Sequence, residues 1–434
     1  MSPARQATVN DHDSPRPYRT LGIRVFNAVS RALGRLGLPG ASLDEESLLA
    51  AARRLTGLQE FGDESFREPL GVLLRAYNEE SELNPAGRWL VRISTLTLLC
   101  NRLRVHDQLS QHPDILDAPV RRPLFVAGLP RTGTTLLYNL LAQDPAARPL
   151  LMWEAVFPAE RKRKPTAADS RLRITKTITR TLTHLAPQLP AVHPIEPEGP
   201  EECSRLLMNT FVTSYALMEN YVPSYYRWLA SQPEEVFDRA YRDYYQQLQL
   251  LQWQRPPRGH WVLKSPAHLF ALGSLMRTFP DAAIVQIHRD PHKVVPSLCS
   301  LFAVYQGITS DRVRSRMLGP EILELCVEEL RRGSLACQSV APGRVLNLRY
   351  AELVADPAAA VRNVYEHFNY PLPDDFDRRA VAWVQHNPKD KHGKHVYDLA
   401  QFGLTPAMID EALETYCREY QIEPEGRRPA AAQA

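Results

Sequence analysis

Residues 123–145 read PLFVAGLPRTGTTLLYNLLAQDP. LFVAG is an apolar run of strand length. A turn containing two glycines follows, and TTLLYNLLAQDP then reads as a helix. A strand that feeds a helix through such a loop gathers backbone N–H groups at the positive end of the helix dipole, which makes an anion site. Gly128 and Gly133 let the chain turn tightly and approach a ligand closely. Thr134 and Thr135 add hydroxyl donors, and Arg131 adds a charge. The candidate ligand-binding residues of the loop are therefore Arg131, Thr132, Gly133, Thr134 and Thr135. The pattern G-x-x-x-x-G-T-T matches the phosphate loop G-x-x-x-x-G-K-[ST] except at 134, where threonine replaces lysine. In ATPases and GTPases that lysine reaches the terminal phosphates. Its absence argues against an ordinary nucleotide triphosphatase.

Downstream, WVLKSP (261–266) reads as a second strand, AAIVQIHRDP (282–291) as a third and VLNLRY (345–350) as a fourth. HLFALGSLMRTF reads as one helix, and another is expected from Asp356-Pro357 to about His367. Strands that alternate with helices predict an α/β fold with a mostly parallel sheet flanked by helices. Residues 150–205 are proline-rich and mixed, with a basic run Arg161–Lys164, and 205–255 look helical. Upstream, 20–115 look all-helical. Ser42-Leu43-Asp44-Glu45 reads as a capping box with Gly57 as the stop, and a second helix starts at Asn84-Pro85. The expected organisation is a tail at 1–20, a helical region at 21–118, an α/β domain at 119–425 and a second tail at 426–434.

Composition bounds the function. The chain has 434 residues, 44% hydrophobic and 23% charged, with a net charge of +3. That charge is too mild to point to nucleic acid. Cys100, Cys203, Cys299, Cys326, Cys337 and Cys417 show no metal-ligand spacing and read as thiols in a reducing compartment. The first residues lack an apolar signal core, and no stretch approaches the ~20 apolar residues of a membrane helix. A cytoplasmic location is the expectation.

The quoted loop resembles the 5′-phosphosulfate loop of the sulfotransferase superfamily, P-loop-like α/β enzymes that use 3′-phosphoadenylyl sulfate (PAPS). In that family an arginine, and a serine eight residues on, hold the 3′-phosphate. IVQIHRDPHKVVPSLCSL supplies Arg289 and Ser297 at that spacing. Arginine offers phosphate a planar charged fork. LKSP places Lys264 where relatives carry a lysine near the transferring group. RYAELVADP resembles the segment in which a tyrosine meets the nucleotide, here Tyr350. The basic stretch 389–395, with Lys391 and Lys394, sits where relatives close a loop over the cofactor. HGKHVYDLAQFGL is similar to a bacterial branch of the family.

The resemblance covers about residues 120–405 and implies sulfuryl transfer from PAPS to a hydroxyl or amine of a small-molecule, lipid or glycan acceptor, leaving adenosine 3′,5′-bisphosphate (PAP). A sulfuryl group carries less charge than a phosphoryl group, so no metal is expected. Positioning and charge stabilisation dominate such a reaction, and the acceptor must lose a proton to a general base. Glu154 in LLMWEAVFP is the first candidate and His193 the second, with Lys264 as the catalytic cation. Glu196, Glu201 and Glu202 are candidates for shaping the acceptor site. The aromatic residues between Tyr215 and Trp261 line either a pocket or the core. Competing functions are a small-molecule kinase and a non-catalytic nucleotide-binding protein. A homodimer is compatible with the helical region.

Overall fold

The computed structural model describes residues 19–37, 40–160, 169–185, 195–387 and 398–425. Four helices come first: α1 (Leu21–Arg35), α2 (Glu45–Thr56), α3 (Arg67–Glu79) and α4 (Pro85–Gln111). The start of α2 lies later than the expected capping box. Asp44 is the cap, its Oδ1 accepting from the Ser47 N–H at 2.8 Å, and Ser42 supports the Asp44 N–H instead. Gly57 ends α2 in the left-handed conformation, as expected. Asn84 caps α4, and Pro85 opens it.

The sheet has strands β1 (Leu124–Ala127), β2 (Ala147–Pro149), β3 (His260–Lys264), β4 (Ala283–His288) and β5 (Val345–Arg349). Their order is β2-β3-β1-β4-β5, and every pairing is parallel. All residues of β1, β3 and β4 are buried, as befits a parallel sheet covered on both faces. Alternate side chains feed two cores. Phe125, Leu263 and Ile284 pack with Leu48, Leu70 and Leu99 of the N-terminal helices. Val126, Val262 and Val285 pack on the other face with Leu137 of helix α5 (Thr134–Leu141) and Val361 of the Pro357–Phe368 helix. The N-terminal helices thus share a core with the sheet.

Several boundaries differ from expectation. Residues 150–205 include α6 (Met152–Val156) and the Arg171–Leu185 helix, preceded by the edge strand β2. The 205–255 stretch is four helices, and 266–278 is a 3₁₀ turn followed by the short helix Leu272–Thr278. Helix Tyr350–Ala355 begins directly after β5. The basic run 161–164, the basic stretch 389–395 and the two tails lie wholly or almost wholly outside the described residues.

Candidate active site

β1 lies between β3 and β4, so the chain leaves it in opposite directions across the sheet. Crevices at the carboxyl ends of such strands are where open α/β sheets bind ligands. The phosphate-type loop leaves β1 at this point. Gly128 has φ +130°, and a Cβ there would lie 2.6 Å from the Ile287 carbonyl oxygen. Gly133 has φ +99°, and a Cβ there would lie 2.7 Å from the Tyr350 ring. The loop therefore needs glycine at both positions, for its backbone conformation and for close approach. The Thr132 hydroxyl is fully buried and donates to the Leu129 carbonyl at 2.7 Å, so it braces the loop from within.

The ends of β3, β4 and β5 deliver the other residues. Arg131 Nε donates to Ser297 Oγ at 3.0 Å, and Arg289 Nη1 donates to the Arg131 carbonyl at 2.8 Å. The Arg289 guanidinium stacks 3.9 Å from the Tyr350 ring centroid. Glu425 grips Arg289 with both oxygens, at 2.7 and 3.0 Å. Lys264, at the end of β3, reaches Thr135 Oγ1 at 3.3 Å and Glu202 Oε1 at 2.7 Å. Sequence reasoning about Arg131, Thr135, Lys264, Arg289, Ser297 and Tyr350 thus picked residues that the fold brings together.

Glu154 is placed otherwise. It is 1% exposed. Oε1 accepts from Arg148 at 2.9 Å, while Oε2 accepts from Arg255 at 3.1 Å and from the Leu151 N–H at 3.1 Å. The burial that lowers the Arg148 pKa to about 10 also makes that pair sensitive to loss of either partner. None of these contacts is with the loop or Lys264. His193, Lys391 and Lys394 lie outside the described residues.

The sulfotransferase family model matches residues 123–374. The chain belongs to this family. The crystal structure of the sulfotransferase STF9 from Mycobacterium avium is 30% identical, with a TM-score of 0.79, covering 89% of this chain and 99% of that one. STF1 from Mycobacterium tuberculosis is 32% identical, with a TM-score of 0.75, covering 86% and 98%. Among characterised relatives, an omega-hydroxy-beta-dihydromenaquinone-9 sulfotransferase from Mycobacterium bovis is 28% identical over 315 residues, 71% of this chain and 78% of that protein. The protein is thus a sulfotransferase.

In this sulfotransferase a pocket opens beside the loop. Pro130 and Glu202 stand at one side, and Met218, Leu298, Phe302, Ile322 and Leu325 give it an apolar wall. Glu329 reaches it from the Ser315–Gln338 helix. Burial raises the Glu329 pKa to about 8, against a hydrogen bond from Ser214 at 3.3 Å. A second apolar pocket, with Tyr221 and Tyr226 in its wall, shares Phe302, Ile322 and Leu325 with the first. The aromatic stretch therefore serves both purposes. Tyr215 faces the first pocket, whereas Tyr225, Tyr244 and Trp261 are core.

Local sequence marks Glu202 only as a candidate for shaping the acceptor site and does not reveal its place beside Lys264. It lies beside Lys264 because the neighbouring Cys203 N–H donates to the Lys264 carbonyl at 2.9 Å, pinning segment 200–203 to the end of β3. Cys203 Sγ also meets His268 Nε2 at 3.0 Å, and His268 Nδ1 meets the Tyr241 hydroxyl at 2.8 Å. Burial drives the Cys203 pKa up to about 12 and the His268 pKa down to about 3, so this Cys–His pair is a neutral clamp rather than a nucleophile.

Proposed function

We propose that this sulfotransferase moves the sulfuryl group of PAPS onto a hydroxyl of an apolar, lipid-like acceptor, with Glu202 as general base. The observation that carries the reading is the contact of Lys264 with both Thr135 and Glu202, the latter lining an apolar pocket. Glu202 Oε1 is held by Lys264, and its second oxygen makes no hydrogen bond among the described residues. That oxygen is available to an acceptor proton, whereas Glu154 has both oxygens engaged.

The residues fit the donor. Arg289 already holds an oxyanion, the Glu425 carboxylate. Arg131, Gly133, Thr134, Thr135 and the loop N–H groups would hold the 5′ end, and Arg289 with Ser297 the 3′-phosphate. Lys391 and Lys394 would close over the nucleotide, on the family resemblance. PAPS supplies an activated sulfuryl group. In the transfer, the S–O bond to the 5′-phosphate breaks, an S–O bond to the acceptor oxygen forms, and the acceptor proton passes to Glu202. Lys264 stabilises charge as it gathers on the departing phosphate oxygen.

The apolar walls favour an alcohol on a hydrocarbon body over a glycan, and the relative from M. bovis is named for a hydroxylated menaquinone lipid. Six cysteines, none of them in a disulfide, fit a reducing, cytoplasmic setting. The test is PAP-induced thermal stabilisation together with mass-spectrometric detection of SO₃ gain on hydroxylated prenyl lipids and sugars. Arg131→Ala and Arg289→Ala are each expected to abolish PAP stabilisation, and sulfated prenyl alcohols are expected over sulfated sugars. Normal PAP stabilisation in both variants would overturn the nucleotide assignment. Sulfation of sugars alone would overturn the acceptor class.

A further inference from the structure

Helix α1 is docked with its faces reversed. Its buried or half-buried residues are Ile23, Asn27 and Ser30, and Asn27 accepts a hydrogen bond from the Ala86 N–H in the first turn of α4. Arg31 pairs with Asp311, just beyond the end of the Pro291–Thr309 helix. Meanwhile Leu21 is 73% exposed, Val25 53% and Val29 52%, and Phe26 and Leu33 are also exposed. At ~3.6 residues per turn these five side chains share one face about 140° wide, turned away from the docking side. An amphipathic helix normally buries that stripe. Among the described residues nothing covers it. Alongside, Trp89 and Ile93 of α4 are exposed one turn apart.

The charge on α1 identifies the occupant. LGIRVFNAVSRALGR carries Arg24, Arg31 and Arg35 and no acidic residue. On the helical wheel the three arginines cluster along one border of the apolar face. A basic helix with an exposed apolar face lies in the headgroup region of a bilayer, its stripe in the acyl boundary and its cations on anionic headgroups. We propose that α1 is a docking helix for an anionic membrane surface, which holds the enzyme on the bilayer without crossing it. No described helix is long and apolar enough to span a membrane. The same helix is tied to the end of the Pro291–Thr309 helix, whose Leu298 and Phe302 line the pocket beside the loop. Docking through α1 would therefore bring that pocket close to a lipid phase. The proposal stands on the faces and charges of α1, not on the identity of the acceptor.

The experiment is sedimentation of the full chain with vesicles, without nucleotide or acceptor. One set is phosphatidylcholine alone, and the other is an equal mixture of phosphatidylcholine and phosphatidylglycerol. The full chain is expected to sediment with the mixed vesicles and to be released by high salt. Val25→Asp with Val29→Asp is expected to weaken binding at least about tenfold. Both positions are exposed, so PAP-induced stabilisation should be unchanged and certify the fold. Arg24→Glu with Arg35→Glu should remove the preference for anionic vesicles. Failure of the full chain to bind, or equal binding by the valine variant, would overturn the proposal. So would a dimer in sedimentation velocity that the valine variant splits, because the stripe would then be covered by a second copy.

Discussion

Glu154 and Glu202 sit in different surroundings, and the proposed base is the second of them. Glu154 is buried between Arg148 and Arg255, and its partner Arg148 stacks 3.9 Å from the Trp261 ring. Removing its charge leaves a buried guanidinium without its counter-ion, which costs on the order of 3 kcal/mol. Glu202 sits at 2.7 Å from Lys264 and borders the apolar pocket. If it is the base, as proposed, removing its charge costs roughly 10²–10⁴ in rate. Glu154→Gln is therefore expected to lower the unfolding free energy while turnover of the folded enzyme changes little. Glu202→Gln is expected to suppress kcat with PAP affinity retained. Denaturant titration and steady-state assays on the two variants separate the roles. The reverse pattern, turnover lost in Glu154→Gln and kept in Glu202→Gln, would return the base to Glu154.

At the scale of elements, the proposed nucleotide end is assembled from strand ends and met by the segment that follows the Pro406–Glu419 helix. There the Glu425 N–H donates to Asp290 at 2.7 Å while the carboxylate holds Arg289. On the proposed assignment, a 3′-phosphate on Arg289 would have to displace that carboxylate. The pair is partly exposed, so its net worth is about 1 kcal/mol or less. Glu425→Ala is accordingly expected to tighten PAP binding up to a few-fold in calorimetry, most clearly at low salt. Weaker binding would instead make Glu425 a residue that positions Arg289. The strand, loop and helix at 124–141 were legible because glycine spacing and an unbroken apolar run are local properties. Arg289 and Ser297 were legible only through the family resemblance, which pairs an arginine with a serine eight residues on; here Arg289 precedes the Pro291–Thr309 helix and Ser297 lies about two turns into it. β2 was not, since three residues carry no period. Glu202 was not, because a backbone hydrogen bond to β3 brings it to Lys264 from 62 residues away. The stripe on α1 has the period of a core-facing helix, and only packing reveals that it faces outward.

The whole molecule carries titratable groups that pull its stability in opposite directions with pH. His268 is buried against Cys203 and Tyr241, His260 lies against Tyr370, and His288 stacks on Tyr420. Burial lowers their pKa values from 6.5 to about 3, 4 and 4 respectively. Groups kept neutral in this way contribute stability above the unfolded value of 6.5, and that stability is lost as pH falls, by about 1.4 kcal/mol per pH unit for each. Glu329 acts in the other sense. Its pKa rises from 4.5 to about 8 through burial, so its contribution is complete below 4.5 and is lost as pH rises toward 8. Burial also raises the pKa values of Glu219 and Glu321, which act in the same direction. Between 4.5 and 6.5 three strongly shifted histidines oppose one strongly shifted glutamate, and stability is expected to climb with pH. Above 6.5 the histidines are neutral in both states, and Glu329 turns the curve down. Maximal stability is therefore expected near pH 7, read as the urea midpoint across about pH 5 to 8.5. Glu329→Gln keeps an acceptor for Ser214 but cannot ionise. It should flatten the alkaline limb and leave the acid limb in place, and an unchanged alkaline limb in that variant would show that Glu329 is not the group that bends the curve.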